Sequence, residues 1–550
     1  MGDPVAELRS AVEAAASTLS DDPHFSGRTS RSQPTLERPP KAEFGDYSTN
    51  AAMLLAPTLG EQPRGTAEKL ATELGKSLED SLEKVEVAGP GFLTLFLSDA
   101  GYRRAAGELA SQGERLGRPL VPDEAATETV NVEFVSANPT GPLTAAGGRG
   151  AALGDSIARV LEFVGHPVIR EYYVNDRGGQ IDRFAASIAA RMKDEPVPED
   201  GYEGDYVGEI GETLEQEGLS PDDLDAVGRR GIALMLAAVE ETLHRYGVVF
   251  DTWSSERAVH ESGAVERALS DARDAGHVYE SEGATWLRTS SFGDDKDRVL
   301  IRSEGDPTYF LSDIAYHRDK LERGADRLID VLGADHHGYV ERLRAGLAAL
   351  GYDPDVLQVA IMQLVHVVEG GERAQMSKRR GEFVTLDELI DDIGADAARF
   401  FMLQRSHDTT VDLDLELARK TSNENPVYYV QYAHARIASI LRKAGEGAEK
   451  RAAAADFAAL PVEPSERALI KRLCELPDEV AETAERRAPH RLCAHAMEVA
   501  RDFHAFYRDC QVVGAEGAGV EESRLGLCLL TKRTIARTLG LLGISAPESM

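Results

Sequence analysis

Two carboxylates stand on segments that are otherwise apolar. Glu133 lies within Val130-Asn-Val-Glu-Phe-Val135, and Asp313 closes the run Tyr309-Phe-Leu-Ser-Asp313. An acid buried without a partner is costly. A guanidinium satisfies it well, because its planar fork of donors matches two carboxylate oxygens. The pair therefore calls for cationic partners, and by itself reads as a structural salt bridge to an internal arginine. Next to Glu133 a strand runs into the Pro/Gly-rich loop Asn138-Pro-Thr-Gly-Pro-Leu143, and through the small residues Thr144-Ala-Ala-Gly147-Gly-Arg149-Gly150 the chain passes into a helix. Gly147 and Gly150 allow close approach to the backbone, and a helix start offers N–H groups to an anion. On spacing alone this is a nucleotide site or a structural turn.

Other clusters carry weaker chemistry. Gly148-x-Gly150-x-x-x-Gly154 matches a dinucleotide fingerprint loosely, with the wrong spacing. Met376-Ser377-Lys378-Arg379-Arg380 is the densest cationic run and by spacing reads as a surface loop. His336 and His337 follow Asp335. Adjacent side chains diverge and no third ligand is evident, so zinc is not expected. Tyr429, Tyr432 and Arg436 fall on one helix face, and an aromatic stripe of that kind by itself reads as core. Cys474, Cys493, Cys510 and Cys528 form no C-x-x-C pair and read as buried thiols.

The elements that must position these residues divide the chain into three. Residues 1–118 form a small α/β module, with helices near Val5–Leu19 and Thr66–Leu82 and strands at Val85–Val87 and Phe92–Leu97. Residues 119–405 alternate strand and helix, which predicts a Rossmann-like parallel sheet. Its strands are expected at Val130–Val135, Val168–Val174, Val299–Ile301, Leu328–Leu332 and Val359–Val367, with a helix at Ala151–Val164 and an acidic helical insertion over Lys193–Asp225. Residues 406–550 show no strand pattern. Helical periodicity over Ala418–Lys443, Glu466–Ala484, Arg487–Tyr507 and Arg524–Leu542 predicts a helix bundle. The fold class is thus multidomain α/β with an all-α C-terminal part.

The 550 residues are 42% hydrophobic and 28% charged, enough apolar content for several cores. No stretch is long and apolar enough to span a membrane, and the start carries no secretory pattern, so a cytoplasmic monomer is expected. The net charge of −33 argues against nucleic acid at first sight. Yet most of the cations are arginine, and the acid excess fits a protein of concentrated salt, where the screening length falls to about 3 Å at 1 M. A halophilic archaeal source is the expectation.

The run Val132–Gly154, Arg170-Glu-Tyr-Tyr-Val-Asn-Asp176, Asp306–His317, Gly333-Ala-Asp-His-His-Gly338, Met376-Ser-Lys378-Arg and Ser422–Arg436 together resemble the class I arginyl-tRNA synthetases over nearly the whole chain. The resemblance implies activation of L-arginine by ATP with Mg²⁺, then transfer to tRNA(Arg), with adenylate formation depending on bound tRNA. It implies arginine contacts at Glu133, Asn138, Tyr309 and Asp313. ATP contacts are implied at Gly147, Gly150, His336, His337, Met376 and Ser377. Lys378, Thr144 and Arg149 become the catalytic groups. Tyr429, Tyr432, Arg436 and Met550 are implied at the anticodon, and Phe44, Tyr47 and Asn50 at the tRNA D-loop. The chain departs from the family pattern at the HIGH tetrapeptide, which reads Thr144-Ala-Ala-Gly147, and at KMSKS, which begins with Gln375. That departure leaves a tRNA-binding descendant without catalysis as the rival reading, and the loose glycine run leaves a nicotinamide enzyme as a more distant one.

Overall fold

The structure, a computed structural model, describes residues 4–20, 34–39, 44–78, 80–120, 127–373 and 384–550. Its centre is a five-stranded sheet. We label the strands β1 (Val130–Glu133), β2 (Val168–Val174), β3 (Thr252–Ser255), β4 (Arg327–Gly333) and β5 (Leu357–Met362). All neighbours run parallel, in the order β5-β4-β1-β2-β3. The order reverses between β1 and β4, and a crevice opens outside the carboxyl ends of the strands at such a switch point. Helix α1 (Ala145–Val164) joins β1 to β2, α2 (Gly179–Met192) follows β2, and α3 (Tyr309–Glu322) precedes β4.

Small residues set how closely α1 lies on the sheet. A Cβ on Gly154 would come within 2.1 Å of the Phe134 ring, and one on Gly148 within 2.7 Å of Leu386. The far side of α1 carries Asp155, which pairs with Arg399 in full burial. Arg399 also donates to the carbonyl oxygens of Leu542 (2.9 Å) and Tyr246 (3.1 Å), so one guanidinium ties α1 to the end of the C-terminal bundle.

The N-terminal module is a four-stranded antiparallel sheet with helices Pro4–Ser20, Ala51–Leu59, Pro63–Ser77 and Asp99–Ser111. It docks on the C-terminal bundle through Arg9–Asp478, Arg38–Glu475 and Lys471–Asp46 ion pairs. The bundle includes helices Pro426–Lys443, Pro464–Cys474, Leu476–Arg486, His490–Asp509 and Val520–Leu541. All four cysteines are buried thiols. No helix among the described residues is long and apolar enough to cross a membrane.

Several elements differ from expectation. Val299–Ile301 belongs to an antiparallel three-stranded sheet, because it pairs with the nearby strand Ala284–Leu287. Val359–Val367 is two strands in different sheets, broken at Gln363, and the second pairs with Val411–Asp414. That last strand lies where only helices were expected, and its four residues are too few to carry a pattern. Glu466–Ala484 splits at Glu475, just before Pro477 in the first turn of the next helix. Helix α1 begins at Ala145 rather than Ala151, because the Thr144 side chain caps it by accepting from the Gly147 N–H (3.3 Å).

Gly154→Ala is expected to lower stability by about 1–3 kcal/mol through overpacking against Phe134. Urea unfolding measures this, and adding Phe134→Leu in the same chain should recover part of the loss.

Candidate active site

Three acids lie side by side across the sheet. Asp330 on β4 is in register with Glu133 on β1, and Glu133 with Glu171 on β2. All three are buried. Side chains in register on neighbouring strands share a face, and α3 lies over this one. The Lys320 ammonium contacts Glu133 and lies 3.2 Å from Asp330. His317 Nε2 is 2.7 Å from the other Asp330 oxygen, and Arg323, just past the helix end, is 2.8 Å from Glu171. The Tyr316 hydroxyl donates to Glu171 at 2.9 Å. Burial alone would push the Asp330 and Glu171 carboxyls up. Lys320 and His317 nevertheless hold Asp330 well below the usual carboxylate range, and Lys320 and Arg323 hold Glu171 below it. Burial pulls His317 down, but Asp330 and Glu133 together leave the imidazole raised. Glu133, His317 and Asp330 place ligand-type atoms within 4.8 Å of one another. The cation among them is the Lys320 ammonium.

Glu133 is therefore not a vacant acceptor for a substrate. One oxygen meets Lys320 and the other accepts from the Ser136 hydroxyl at 2.9 Å. The cation it meets within the chain is a lysine, not an arginine.

Asp313 differs. It sits on α3 one turn before Tyr316 and His317, at the end of the helix over the strand carboxyl termini, and its carboxylate accepts from the neutral Tyr339 hydroxyl. Burial raises its pKa, opposed by that hydrogen bond and by His317. One turn earlier Tyr309 is 71% exposed, a large aromatic held at the mouth of the cleft. Beyond Tyr309 a cavity of about 840 Å³ is lined by Arg177, Gly178, Arg229, Arg257 and His260 among others. Next to Arg257 in sequence, Glu256 is buried, and burial lifts its carboxyl to about 7. Asn138 is exposed on the loop after β1.

The turn leaving β1 is strained. Val135 has φ 67° and Ser136 φ 39°, rare for residues with a Cβ and rarer for a β-branched one. Ser136 fixes it, donating to Glu133 and accepting from the Tyr173 N–H (3.1 Å). Further on, Tyr206 from the acidic insertion donates to the Thr140 carbonyl at 2.8 Å. This turn brings the Val135 N–H near Gly150, where an added Cβ would be 3.9 Å from it.

At the start of α1 the donors are partly committed. The Ala145 N–H meets the Val384 carbonyl (3.1 Å), the Gly147 N–H meets Thr144 Oγ, and Leu386 N–H returns to the Leu143 carbonyl (2.8 Å). Thr144 is thus a helix cap, and a Cβ at Gly147 would make only ordinary contacts. Arg149 corrects an expectation. It is 1% exposed, and its guanidinium donates to the carbonyls of Gln363 (2.7 Å), Ser406 (2.9 Å) and Thr409 (2.9 Å). Burial with no acid in contact lowers it to about 10. It clamps backbone and does not reach into the cleft as a phosphate ligand.

His336 is half exposed and pairs loosely with Asp335 (3.6 Å). The His337 side chain lies outside the described residues, as do Met376, Ser377 and Lys378.

Residues 117–201 and 235–439 match the family described as tRNA synthetases class I (R), catalytic domain. Residues 6–97 match the arginyl tRNA synthetase N terminal domain, and 430–550 the DALR anticodon binding domain. The chain belongs to the arginyl-tRNA synthetase family. Among its relatives is an arginine–tRNA ligase of Desulforudis audaxviator, 46% identical over 99% of this chain and 97% of that one. Another, from Bacillus subtilis, is 44% identical over 94% of each. Both are bacterial. Among solved structures, Thermus thermophilus arginyl-tRNA synthetase superposes with TM-score 0.78 at 26% identity, covering 99% of this chain and 100% of that one. A methionyl-tRNA synthetase from Mycobacterium tuberculosis, at 14% identity and TM-score 0.55, shares the fold over 76% of this chain and 92% of that one.

A groove in the C-terminal bundle, about 360 Å³, is lined by Tyr432, Arg436, Arg442, Lys443, Tyr507 and Met550 among others. Arg436 lies 4.7 Å over the Tyr432 ring and 5.5 Å from that of Tyr507. Tyr429 instead packs on His504, ring centres 5.0 Å apart. The chain end is stapled to the same helix by His434 to the Pro547 carbonyl (2.8 Å) and Arg442 to that of Glu548 (3.2 Å), which delivers Met550 to the groove. Tyr507, Arg442 and Lys443 escaped sequence reasoning. Arg442 and Lys443 stand in the last turn of the Tyr432 helix and could have been found there, but Tyr507 comes from another helix. In the N-terminal module Phe44 is 48% exposed, whereas Tyr47 is buried at 5% and cannot stack on a base. Asn50 accepts from the Thr35 N–H at 2.9 Å.

Lys320→Met is expected to cost about 3–5 kcal/mol near neutral pH, because it orphans two buried carboxylates. The orphaned acids take up protons as pH falls, so the penalty measured by urea unfolding should shrink from pH 8 to pH 5.

Proposed function

We propose that the cleft over the carboxyl ends of β1 and β4 binds L-arginine through Asp313, with Tyr309 covering it and Asn138 at its edge, and joins it to the ATP α-phosphate. The observation that carries this is the contrast among the acids. Glu133, Asp330 and Glu171 are matched to protein cations, whereas Asp313 meets a neutral hydroxyl at the cleft. A guanidinium would supply the missing charge, and a neutral side chain of similar shape would leave the carboxylate unpaired.

The arginine carboxylate attacks the α-phosphorus in line and pyrophosphate leaves. The terminal adenosine hydroxyl of tRNA(Arg) then takes the arginyl group and AMP leaves. The chain provides no nucleophile, and its part is position and charge. ATP lies against Gly147, Gly150 and the His336–His337 turn. Mg²⁺ accompanies ATP and neutralises phosphate charge. Lys378 meets the departing pyrophosphate, and support for this comes from the chain just beyond it: Val384 and Leu386 are hydrogen-bonded to the start of α1. Tyr432, Arg436 and Met550 hold anticodon bases by stacking and charge, and Phe44 meets the D-loop. The cavity beside Tyr309, with Arg177, Arg229 and Arg257, receives the phosphates of the tRNA 3′ end. Bound tRNA is required for adenylate formation. The acid-rich composition suits catalysis at molar salt, in the cytoplasm of a halophilic archaeon.

Arginine-dependent ATP–pyrophosphate exchange, with and without tRNA and across a KCl series, tests the whole reading. Asp313→Asn should raise the arginine KM by an amount equivalent to about 2–5 kcal/mol with little change for ATP. An unchanged arginine KM removes Asp313 from the pocket. Lys378→Ala should slow exchange about 10²–10³-fold at near-normal ATP affinity. An optimum at low salt removes the halophilic reading.

A further inference from the structure

Tyr339 joins two parts of the site that are distant in sequence. It is the last residue of the 3-10 turn Ala334–Tyr339, which leaves the carboxyl end of β4 and carries His336 and His337. Its hydroxyl donates to Asp313 on α3. Its ring packs edge-to-face on Phe310 (centres 6.4 Å apart, 85°), and the Arg342 guanidinium lies 5.1 Å from its centre. Ring contacts hold the side chain in place, so the hydroxyl is free to do one thing, which is to orient a carboxylate.

We propose that Tyr339 is a positioning residue: it sets the rotation of the Asp313 carboxylate for a guanidinium and couples the arginine pocket to the nucleotide-side turn. This rests on Asp313 being the arginine acceptor. A carboxylate whose χ2 is unconstrained presents its oxygens over a broad range of angles, while bidentate recognition needs one plane. One donor on one oxygen fixes that plane and leaves the remaining lone pairs to the substrate. Because the donor sits on the turn that also carries His336 and His337, a shift of that turn on nucleotide binding moves Asp313, and arginine binding acts back on the turn. Linkage makes such coupling reciprocal.

Charge around Asp313 makes the hydroxyl matter. Facing it are Glu133 from β1, Asp330 from β4, His317 from its own helix, Tyr173 from β2, and Glu256 beyond Tyr173. Burial and the acids favour the protonated carboxyl, and the Tyr339 hydrogen bond and His317 oppose them. Without the hydroxyl the carboxyl rises further, and a protonated acid cannot accept a guanidinium from both sides. Arginine binding is then lost as pH falls through the raised value.

Tyr339→Phe keeps the ring contacts and removes the hydroxyl alone. In pyrophosphate exchange at saturating tRNA, the arginine KM should rise about 10–100-fold with a smaller fall in kcat. The KM should worsen further from pH 8 to pH 6, while that of the unaltered enzyme stays comparatively flat. The dependence of ATP KM on arginine concentration should shrink. Thermal melting, run alongside, should change little. If Asp313→Asn impairs arginine binding but Tyr339→Phe leaves KM, its pH profile and the coupling unchanged, the inference is overturned and the pocket stands. A loss of kcat and melting temperature at constant arginine KM also overturns it, as a purely structural role. If Asp313→Asn itself leaves arginine KM unchanged, the pocket assignment falls and the inference falls with it.

Discussion

The active site depends on a row of three buried acids and the helix that neutralises them. Asp330, Glu133 and Glu171 stand in register on adjacent parallel strands, and three ionised carboxylates so close would repel one another. His317, Lys320 and Arg323 enter from α3 and its C-terminal cap at helical spacing, with Tyr316 between them. Register on the sheet thus fixes register on the helix. Sliding α3 by one residue would rotate the cations off the acids and leave buried charge unpaired, which costs several kcal/mol per ion. Tyr309 and Asp313 belong to the same helix, so the arrangement that neutralises the floor also sets the height and angle of these two side chains at the cleft.

Helix α1 supplies the second constraint. Its small residues let it lie against Phe134 and Leu386, and its two buried polar anchors reach outward from that contact. Arg149 gathers three carbonyls from the chain between β5 and the C-terminal part, and Asp155 meets Arg399, which in turn holds Leu542. The start of α1 is bonded to the residues that follow position 383, so the turn with Thr144 and the descending chain at Val384 form one unit. Neither class-signature histidine is present in this chain, and the helix start is built instead from a capping threonine and glycines that keep side chains away from its backbone.

The N-terminal module and the C-terminal bundle meet through ion pairs in which arginine and lysine of one face acids of the other. This docking explains why Tyr47 is lost as a surface aromatic. Its ring is buried in the same apolar cluster as Cys474 of the bundle. Elsewhere on the bundle the chain terminus is bound to the helix carrying Tyr432 and Arg436, so the groove is completed only when the last residues are in place.

Much of the architecture was legible in the sequence, because apolar periodicity reports local burial. The strands Val168–Val174 and Phe92–Leu97, the parallel sheet and the helical C-terminal part all follow from it. So does the suspicion that Glu133 and Asp313 need partners, since an acid on an apolar segment has to be neutralised somehow. Which partner each acid has was decided by tertiary structure. Lys320 is 187 residues from Glu133, and Tyr339 is 26 from Asp313, and neither stands in a pattern that spacing could reveal. Arg149 shows the same limit in reverse. Two positions after the glycine of a phosphate-like turn it suggested a ligand for phosphate, but helical geometry turns it away from the cleft and toward carbonyls more than 200 residues distant. Short-range pattern fixes which residues must be buried or charged, whereas the identity of each buried charge's partner is a three-dimensional fact, set by which strand lies beside which and which helix covers them.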